Sequence, residues 1–238
     1  MIGFRPAKPA AASRPAEAEA LWFEWLALGG MLVFGAWLLG VRGVWALLLG
    51  ADPTGLTLVI ILVFVAATLW SGQRSRELEQ QRRWLLRARE GGAASAPDDL
   101  PGWAGDYLRA LAAAPKDAGA PLDLLLEASH GPHHTAWWVN GIQLKLGLLG
   151  KVIGFSVLAL QIGQMQGFDA AQSQELLKSL TAGLGIALLT TMVGLVGNIL
   201  LGLQLTRLDR FADRLVADCQ REGLRRSMPV ASLLVSPH

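Results

Sequence analysis

The chain has 238 residues, of which 52% are hydrophobic and only 17% are charged. This composition is too apolar for an ordinary soluble domain, and the apolar residues stand in long blocks, as they do in integral membrane proteins. The formal net charge of +2 carries little information by itself, and the single cysteine, Cys219, excludes an internal disulfide framework.

Four apolar blocks predict four membrane-spanning helices, because about 20 apolar residues cross the hydrocarbon core of a bilayer. The blocks cover residues 21–41, 54–70, 146–165 and 179–206. The first block holds one charge, Glu24, and an alternative is that it continues to Leu49 as one tilted helix. A new helix is predicted to begin at Asp52 and Pro53, since proline favours the first turn of a helix. The predicted fold class is therefore an all-α integral membrane protein.

The distribution of basic residues predicts the orientation of these helices. Six arginines lie within 73–90 and six more follow Gln204, while Arg5, Lys8 and Arg14 lie in the amino-terminal arm. The first outer connection has only Arg42, and the second, 166–174, has no basic residue. We therefore expect both termini and the segment between the second and third spans to be cytoplasmic.

The chain divides into five predicted regions. Residues 1–20 form a disordered cytoplasmic arm, 21–71 hold the first two spans, 72–142 form a helical cytoplasmic insert, 143–206 hold the last two spans, and 207–238 form a cytoplasmic tail. Within the insert we predict a charged helix over 73–90, a loop over 91–102 and short helices over 107–113 and 122–129. About 70 residues of this composition bury little core alone, so we expect the insert to pack against neighbouring copies.

The fourth block carries two adjacent stripes when it is placed on a helix. The first stripe consists of Leu184, Leu188, Thr191, Leu195 and Asn198, and the second consists of the small residues Gly183, Ala187, Thr190, Gly194 and Gly197. The third block repeats the small residues around Lys151, at 147, 150 and 154. Such stripes indicate either close helix packing or a hydroxyl-lined ion path, and the spacing alone does not separate the two.

Two motifs in these blocks resemble the MotA/TolQ/ExbB family of proton-channel subunits. They are LGLLGKVIGF at 146–155 and GIALLTTMVGLVGNILL at 185–201. The family's penultimate span carries a pattern close to G-L-L-G-T-V-x-G, and its last span one close to A-L-x-x-T-x-x-G-L-x-x-x-I. The four-span layout with a cytoplasmic insert is similar to MotA, whereas the residues of the two motifs are more similar to those of TolQ and ExbB.

The resemblance implies a ring of five subunits around two copies of a single-span partner similar to MotB, ExbD or TolR, in the bacterial inner membrane. The partner's membrane aspartate would carry the proton, and the hydroxyl that matches Thr191 would line the path, with Thr190 nearby. Independently, the third and fourth blocks contain no carboxylate, so a titratable group must come from a partner or from Glu24. The predicted function is a ring or channel subunit of a motor driven by the proton-motive force.

The sequence departs from the family's pattern at two residues, and it also lacks the proline of the family's final span. Lys151 stands where the family usually has threonine, and Asn198 stands where small apolar residues are common. A buried ammonium costs at least a few kcal/mol unless it is paired or extends to the membrane edge. Lys151 is therefore either a lysine that reaches the edge, or a group that pairs with the partner's carboxylate or lowers its pKa. Asn198 would line the path or form an interhelical hydrogen bond.

The alternative function is a non-conducting oligomeric scaffold that kept the fold; a small secondary transporter is disfavoured because no inverted repeat is visible. His130, His133 and His134 indicate a polar turn before the third span rather than a metal site. Tryptophans at 22, 25, 70, 137 and 138 are typical of interfacial belts. We find no phosphate loop and no nucleophile–base pair, so we expect neither enzymatic activity nor a cofactor, metal or nucleic-acid partner.

Overall fold

A computed structural model of the chain describes residues 21–52, 54–90, 100–113, 119–163 and 170–227. Almost all of these residues are helical, and they form six α-helices: α1 (Leu21–Val41), α2 (Val44–Ala51), α3 (Leu56–Glu90), α4 (Trp103–Ala113), α5 (Gly119–Gly163) and α6 (Ala170–Ser227). Helices α1, α3, α5 and α6 are each long and apolar enough to cross a membrane. The prediction of an all-α chain with four such helices is confirmed, and it indicates a multi-pass membrane protein.

The first apolar block ends as one helix at Val41 and does not continue to Leu49, so the alternative of a single tilted helix is wrong. Gly43 adopts a left-handed conformation with φ of 71°, and its amide donates to the carbonyl of Gly40. Glycine is the residue that adopts this conformation without a steric penalty, and it is the usual way to end a helix. The short helix α2 then follows, which was not predicted.

Helix α3 begins close to the helix start that the sequence predicted, and the Asp52 side chain caps its amino-terminal end. The Asp52 carboxylate accepts hydrogen bonds from the Thr54 amide at 3.0 Å and from the Thr57 amide at 2.7 Å. The bond to Thr57 satisfies an amide in the first turn of α3 that has no partner within the helix. Helix α3 then runs for 35 residues without a break, so the predicted charged helix over 73–90 is confirmed as its continuation.

Helix α5 contains the histidine-rich segment 130–135, so the prediction of a polar turn there is wrong. The short helix predicted over 122–129 is part of the same long helix. Pro132 has no amide proton and leaves the carbonyl of Ala128 without its usual partner. The Arg74 guanidinium of α3 donates to that carbonyl at 2.6 Å and to the Ser129 carbonyl at 3.0 Å. An interhelical arginine thus replaces the missing bond, and the helix continues.

Helix α6 runs 58 residues, and the part of the predicted tail that the structure describes, 207–227, belongs to it. This half of α6 packs with the charged half of α3, with α4 and with the first half of α5, and we call these four pieces the polar bundle. Its buried core is mainly aliphatic and contains Leu78, Leu85, Leu108, Leu125, Leu208, Phe211, Leu215 and Cys219. The insert therefore packs against the last helix of its own chain. This core forms without a contribution from neighbouring copies.

A layer of tryptophans and charged residues separates the polar bundle from the apolar half of the molecule, and we call it the boundary layer. The Trp25 indole of α1 donates to the Thr68 carbonyl at 3.2 Å, and Arg207 lies 3.3 Å from Glu24. Between α5 and α6, the Trp137 indole donates to Asp209 at 2.8 Å. These contacts place the amino-terminal end of α1 beside the middle of α3 and α6.

Beyond the boundary layer the outer surfaces of the long helices are apolar. Helix α1 buries only Leu21 against the rest of the chain, and large side chains such as Phe34 and Trp37 are exposed on it. The apolar halves of α3, α5 and α6 likewise expose leucine, valine and isoleucine. An apolar surface of this extent indicates contact with lipid or with other helices rather than with water.

Candidate functional site

Helices α5 and α6 make the most extensive helix–helix contact among the described residues. In their apolar halves this contact depends on glycine. A methyl group added at Gly154 would lie 2.7 Å from the Gly183 carbonyl oxygen and 2.8 Å from the Ala187 amide nitrogen. A methyl group at Gly194 would lie 2.9 Å from the Cα of Gly147. Side chains at these positions would force the backbones apart, so the predicted strip of small residues lies directly against α5.

The contact follows one spacing along both helices, with alternating steps of four and three residues. From Ser129 onward the buried positions of α5 are Ser129, His133, Ala136, Asn140, Gln143, Gly147, Gly150 and Gly154. On α6 the buried positions that keep this spacing are Gly183, Ala187, Thr190, Gly194, Gly197, Leu201, Leu205, Leu208, Ala212, Leu215, Cys219 and Glu222, with one extra step of four at Leu205. This is the spacing of the contact line in a coiled coil, and we call the line of contact between α5 and α6 the seam. The seam is lined by small residues in the apolar half and by large residues in the polar bundle.

The two candidate threonines occupy different environments in this seam. Thr190 is fully buried, and its hydroxyl donates to the Ile186 carbonyl at 2.7 Å. Its side chain fills the space that Gly150 leaves on α5. Thr191 is half-buried at the margin of the seam, and its hydroxyl lies 2.7 Å from the Ala187 carbonyl oxygen and 3.1 Å from the Gly147 carbonyl oxygen. Thr190 is therefore a packing group in this chain, and Thr191 is the hydroxyl at the surface.

Lys151, Thr191 and Asn198 lie along one margin of the seam, which we call the polar edge. Lys151 follows Gly147 by one helical turn, and Gly147 is the residue whose carbonyl faces Thr191. Asn198 follows Thr191 by two turns, and its amide donates to the Asn140 carbonyl at 2.8 Å. The Lys151 side chain is exposed. Three of the four predicted site residues thus share one accessible margin of the α5–α6 contact.

Buried amides on the seam were not predicted as site residues. Gln143 is fully buried opposite Gly197, and neither atom of its amide has a hydrogen-bond partner among the residues that the structure describes. Asn140 is also buried one turn earlier on α5. Extending the spacing of Gly147, Gly150 and Gly154 backwards along the sequence reaches both amides. This continued spacing is the sequence signal that would have identified Gln143 and Asn140.

Where the seam crosses the boundary layer, it carries a group of ionisable side chains. The His133 ring is buried, and its Nδ1 lies 2.6 Å from an Asp209 carboxylate oxygen. Burial lowers the pKa of His133 although the hydrogen bond and the charge of Asp209 act in the opposite direction. The neutral ring with a proton on Nδ1 satisfies this geometry, since it donates to the carboxylate. His130 makes a parallel contact with Asp213 at 3.0 Å.

The chemistry available at the polar edge is limited to a hydroxyl, an amide and an ammonium group. No carboxylate lies in segments 146–163 and 179–206, which flank it. In the described part of the chain, no cluster of three or more histidine, cysteine or acidic residues could hold a metal ion. The edge can orient an anion or a hydrogen-bond acceptor from another molecule, but it contributes no carboxylate that could carry a proton.

Comparison with known protein families, curated proteins and solved structures gives no significant match to this chain.

Proposed function

We propose that this chain is the ring or channel subunit of a bacterial inner-membrane motor driven by the proton-motive force. In this proposal α1, α3, α5 and α6 span the bilayer, both termini and the polar bundle lie in the cytoplasm, and five copies form the ring. A single-span partner contributes a membrane aspartate. The observation that carries the proposal is the polar edge, which combines Thr191, Asn198 and Lys151 and contains no carboxylate.

The polar edge complements such a partner in charge and in hydrogen bonding. A half-buried hydroxyl and amide at membrane depth favour contact with another polar group over contact with lipid. The Lys151 ammonium, one turn from the contact of Thr191 with Gly147, would stabilise an ionised aspartate and favour its deprotonation. A proton carried by that aspartate would then pass along the margin of the α5–α6 contact, and its transfer would be coupled to rotation or force.

A second candidate function is a non-conducting oligomeric scaffold with the same fold. Two observations favour it. The Thr191 hydroxyl already donates its proton to a backbone carbonyl of its own chain, and the positive charge of Lys151 would repel protons moving along the polar edge. In a ring, one such lysine per subunit would raise this electrostatic barrier further.

Proton uptake by liposomes that contain the chain and its co-purified partner tests the proposal. Thr191→Val keeps the size of the side chain and removes the hydroxyl. We expect proton flux to fall roughly tenfold or more, the factor for losing one hydrogen bond to a charged group. The matched control is Thr181→Val, because the Thr181 hydroxyl also donates to the carbonyl four residues earlier, on an exposed part of α6. This control should leave the flux unchanged.

Lys151→Thr in the same assay separates a conducting ring from the scaffold. If the lysine restrains conduction, the flux rises, and Lys145→Thr, at an exposed position of α5 outside the seam, leaves it unchanged. If all variants and the parent protein show the leak rate of empty liposomes, the channel function is wrong and the scaffold is favoured. The absence of any single-span protein after purification in mild detergent would likewise contradict the proposed partner.

A further inference from the structure

A basic pocket lies between the amino-terminal end of α1 and the middle of α6, apart from the polar edge. Its walls come from both helices and combine charged with apolar side chains. The lining residues are Leu21, Glu24, Arg207, Arg210, Phe211 and Arg214. Leu21 and Phe211 are buried and form an apolar base, whereas the arginines are exposed.

The three arginines converge because of their spacing on α6. Positions 207, 210 and 214 are separated by three and four residues, so they occupy one face of the helix. Opposite them, the Glu24 carboxylate lies 3.3 Å from the Arg207 guanidinium. Three guanidinium groups and one carboxylate thus line the pocket. Guanidinium groups bind phosphate oxygens through paired hydrogen bonds, and a phosphodiester matches this arrangement.

The pocket lies at the end of the apolar half of α6. Arg207 directly follows the uncharged segment 179–206. Trp22 stacks on Trp25 at 5.0 Å beside it, and paired tryptophans of this kind are typical of the headgroup region of a bilayer. Leu28 and Met31 follow Glu24 by one and two helical turns on the same face of α1, and Met31 is exposed. A ligand whose phosphate sits among the arginines could therefore lay hydrocarbon chains along α1.

We propose that this pocket binds the phosphate of an anionic phospholipid of the cytoplasmic leaflet. Basic pockets between spanning helices on this side are a recurrent means of holding such lipids. An anionic lipid is favoured over a zwitterionic one because a choline group would meet the arginines with like charge. The inference rests on the membrane placement in the proposed function, and it is independent of whether the polar edge conducts protons.

Titration of the detergent-purified full chain with phosphatidylglycerol, followed by native mass spectrometry, tests the site. Arg210→Gln and Arg214→Gln should each weaken binding about fivefold, and the double variant about 30-fold, the loss expected for two arginines near anionic headgroups. The matched control is Arg221→Gln, because Arg221 lies on the same face of α6 about 10 Å beyond Arg214, away from the apolar half. This control should bind as the parent chain does.

Glu24→Gln provides a gain of affinity that a misfolded protein would not show. Its carboxylate competes with a phosphate for Arg207, so its removal should tighten phosphatidylglycerol binding severalfold. Unchanged or weaker binding by this variant would contradict the assignment of the phosphate to Arg207.

Two further titrations identify the source of the phosphate. Phosphatidylcholine with the same acyl chains should bind at least tenfold more weakly than phosphatidylglycerol. Inorganic phosphate at millimolar concentration should not displace the bound lipid. Equal binding of the two lipids, or displacement by inorganic phosphate, would overturn the proposal of an anionic-lipid site. Lipid binding without proton flux would refute the channel function alone, and flux without selective lipid binding would refute this site alone.

Discussion

At the scale of single residues, His133 illustrates how the seam tolerates an ionisable group. The ring is buried between α3 and α6, with Asp209 at 2.6 Å and Trp70 at 6.3 Å between ring centroids. Arg74 and His130 also act on it, and both disfavour the charged ring. Burial therefore outweighs the attraction of Asp209, and the neutral ring is the form that fits the fold.

The lowered pKa of His133 predicts a dependence of stability on pH. The unfolded chain takes up a proton on this residue near pH 6.5, whereas the folded chain takes it up only at lower pH. The contribution of His133 is thus fully present above about pH 6.5 and is lost as the pH falls below it. The slope from this one proton is at most about 1.4 kcal/mol per pH unit.

Thermal unfolding of the purified protein between pH 8 and pH 5 measures this dependence. We expect the midpoint temperature to fall below pH 6.5 in the parent chain and to fall less steeply in His133→Gln. His134→Gln is the control, since His134 is exposed on the same helix. Equal slopes in the two variants would show that His133 is not the linked group.

At the scale of helices, the close approach of α5 and α6 depends on glycine because backbone atoms cannot move aside. The space at Gly154 is bounded by the Gly183 carbonyl and the Ala187 amide. Gly141, on the same helix, has no atom of a described residue within 4 Å of an added methyl group. The two positions therefore separate the effect of packing from the effect of helix propensity.

Gly154→Ala should lower the free energy of unfolding by about 1–3 kcal/mol, the usual cost of overpacking a core. Gly141→Ala should be neutral or stabilising by up to about 1 kcal/mol, because alanine favours the helical backbone. Thermal unfolding in detergent of both variants and the parent chain checks this. Equal midpoints for both variants would mean that the two helices do not approach as closely as described.

At the scale of the whole molecule, α6 joins the apolar half to the polar bundle. The same face of α6 that packs small residues against α5 before Gly197 packs leucines against α3, α4 and α5 after Leu201. Burial also raises the pKa of Cys219 to about 12, so the thiol in this core stays protonated. The polar bundle is therefore a core formed within one chain, and its stability depends on the last helix.

Leu215→Ala tests this dependence, because Leu215 is 1% exposed at the centre of the polar bundle. We expect a loss of about 2–5 kcal/mol in the free energy of unfolding, as for other fully buried leucines. Leu124→Ala, at a position 70% exposed on α5, should change it by less than about 0.5 kcal/mol. Chemical denaturation at two protein concentrations measures both. A loss that disappears at high concentration would indicate that neighbouring copies supply the core instead.

The four long apolar helices, the start of a new helix after Asp52 and the stripe of small residues on α6 could all be predicted from the sequence. These follow from chain-local physics: the length of uncharged runs, the capping of backbone amides and the 3.5-residue period. The proposed ion path also comes from the sequence, through motifs at 146–155 and 185–201, and it remains a prediction.

Which segments meet in space could not be predicted from the sequence and is known from the fold. Pro132 predicts a break in a helix when read locally, but the Arg74 guanidinium from another helix replaces the lost bond. Likewise, segment 207–227 is rich in charge and resembles a solvated tail, yet every third or fourth residue is buried against distant helices. Burial and interhelical hydrogen bonds depend on partners that are far apart in the chain. For that reason the placement of Thr190 in the packing and Thr191 at the surface came from the fold.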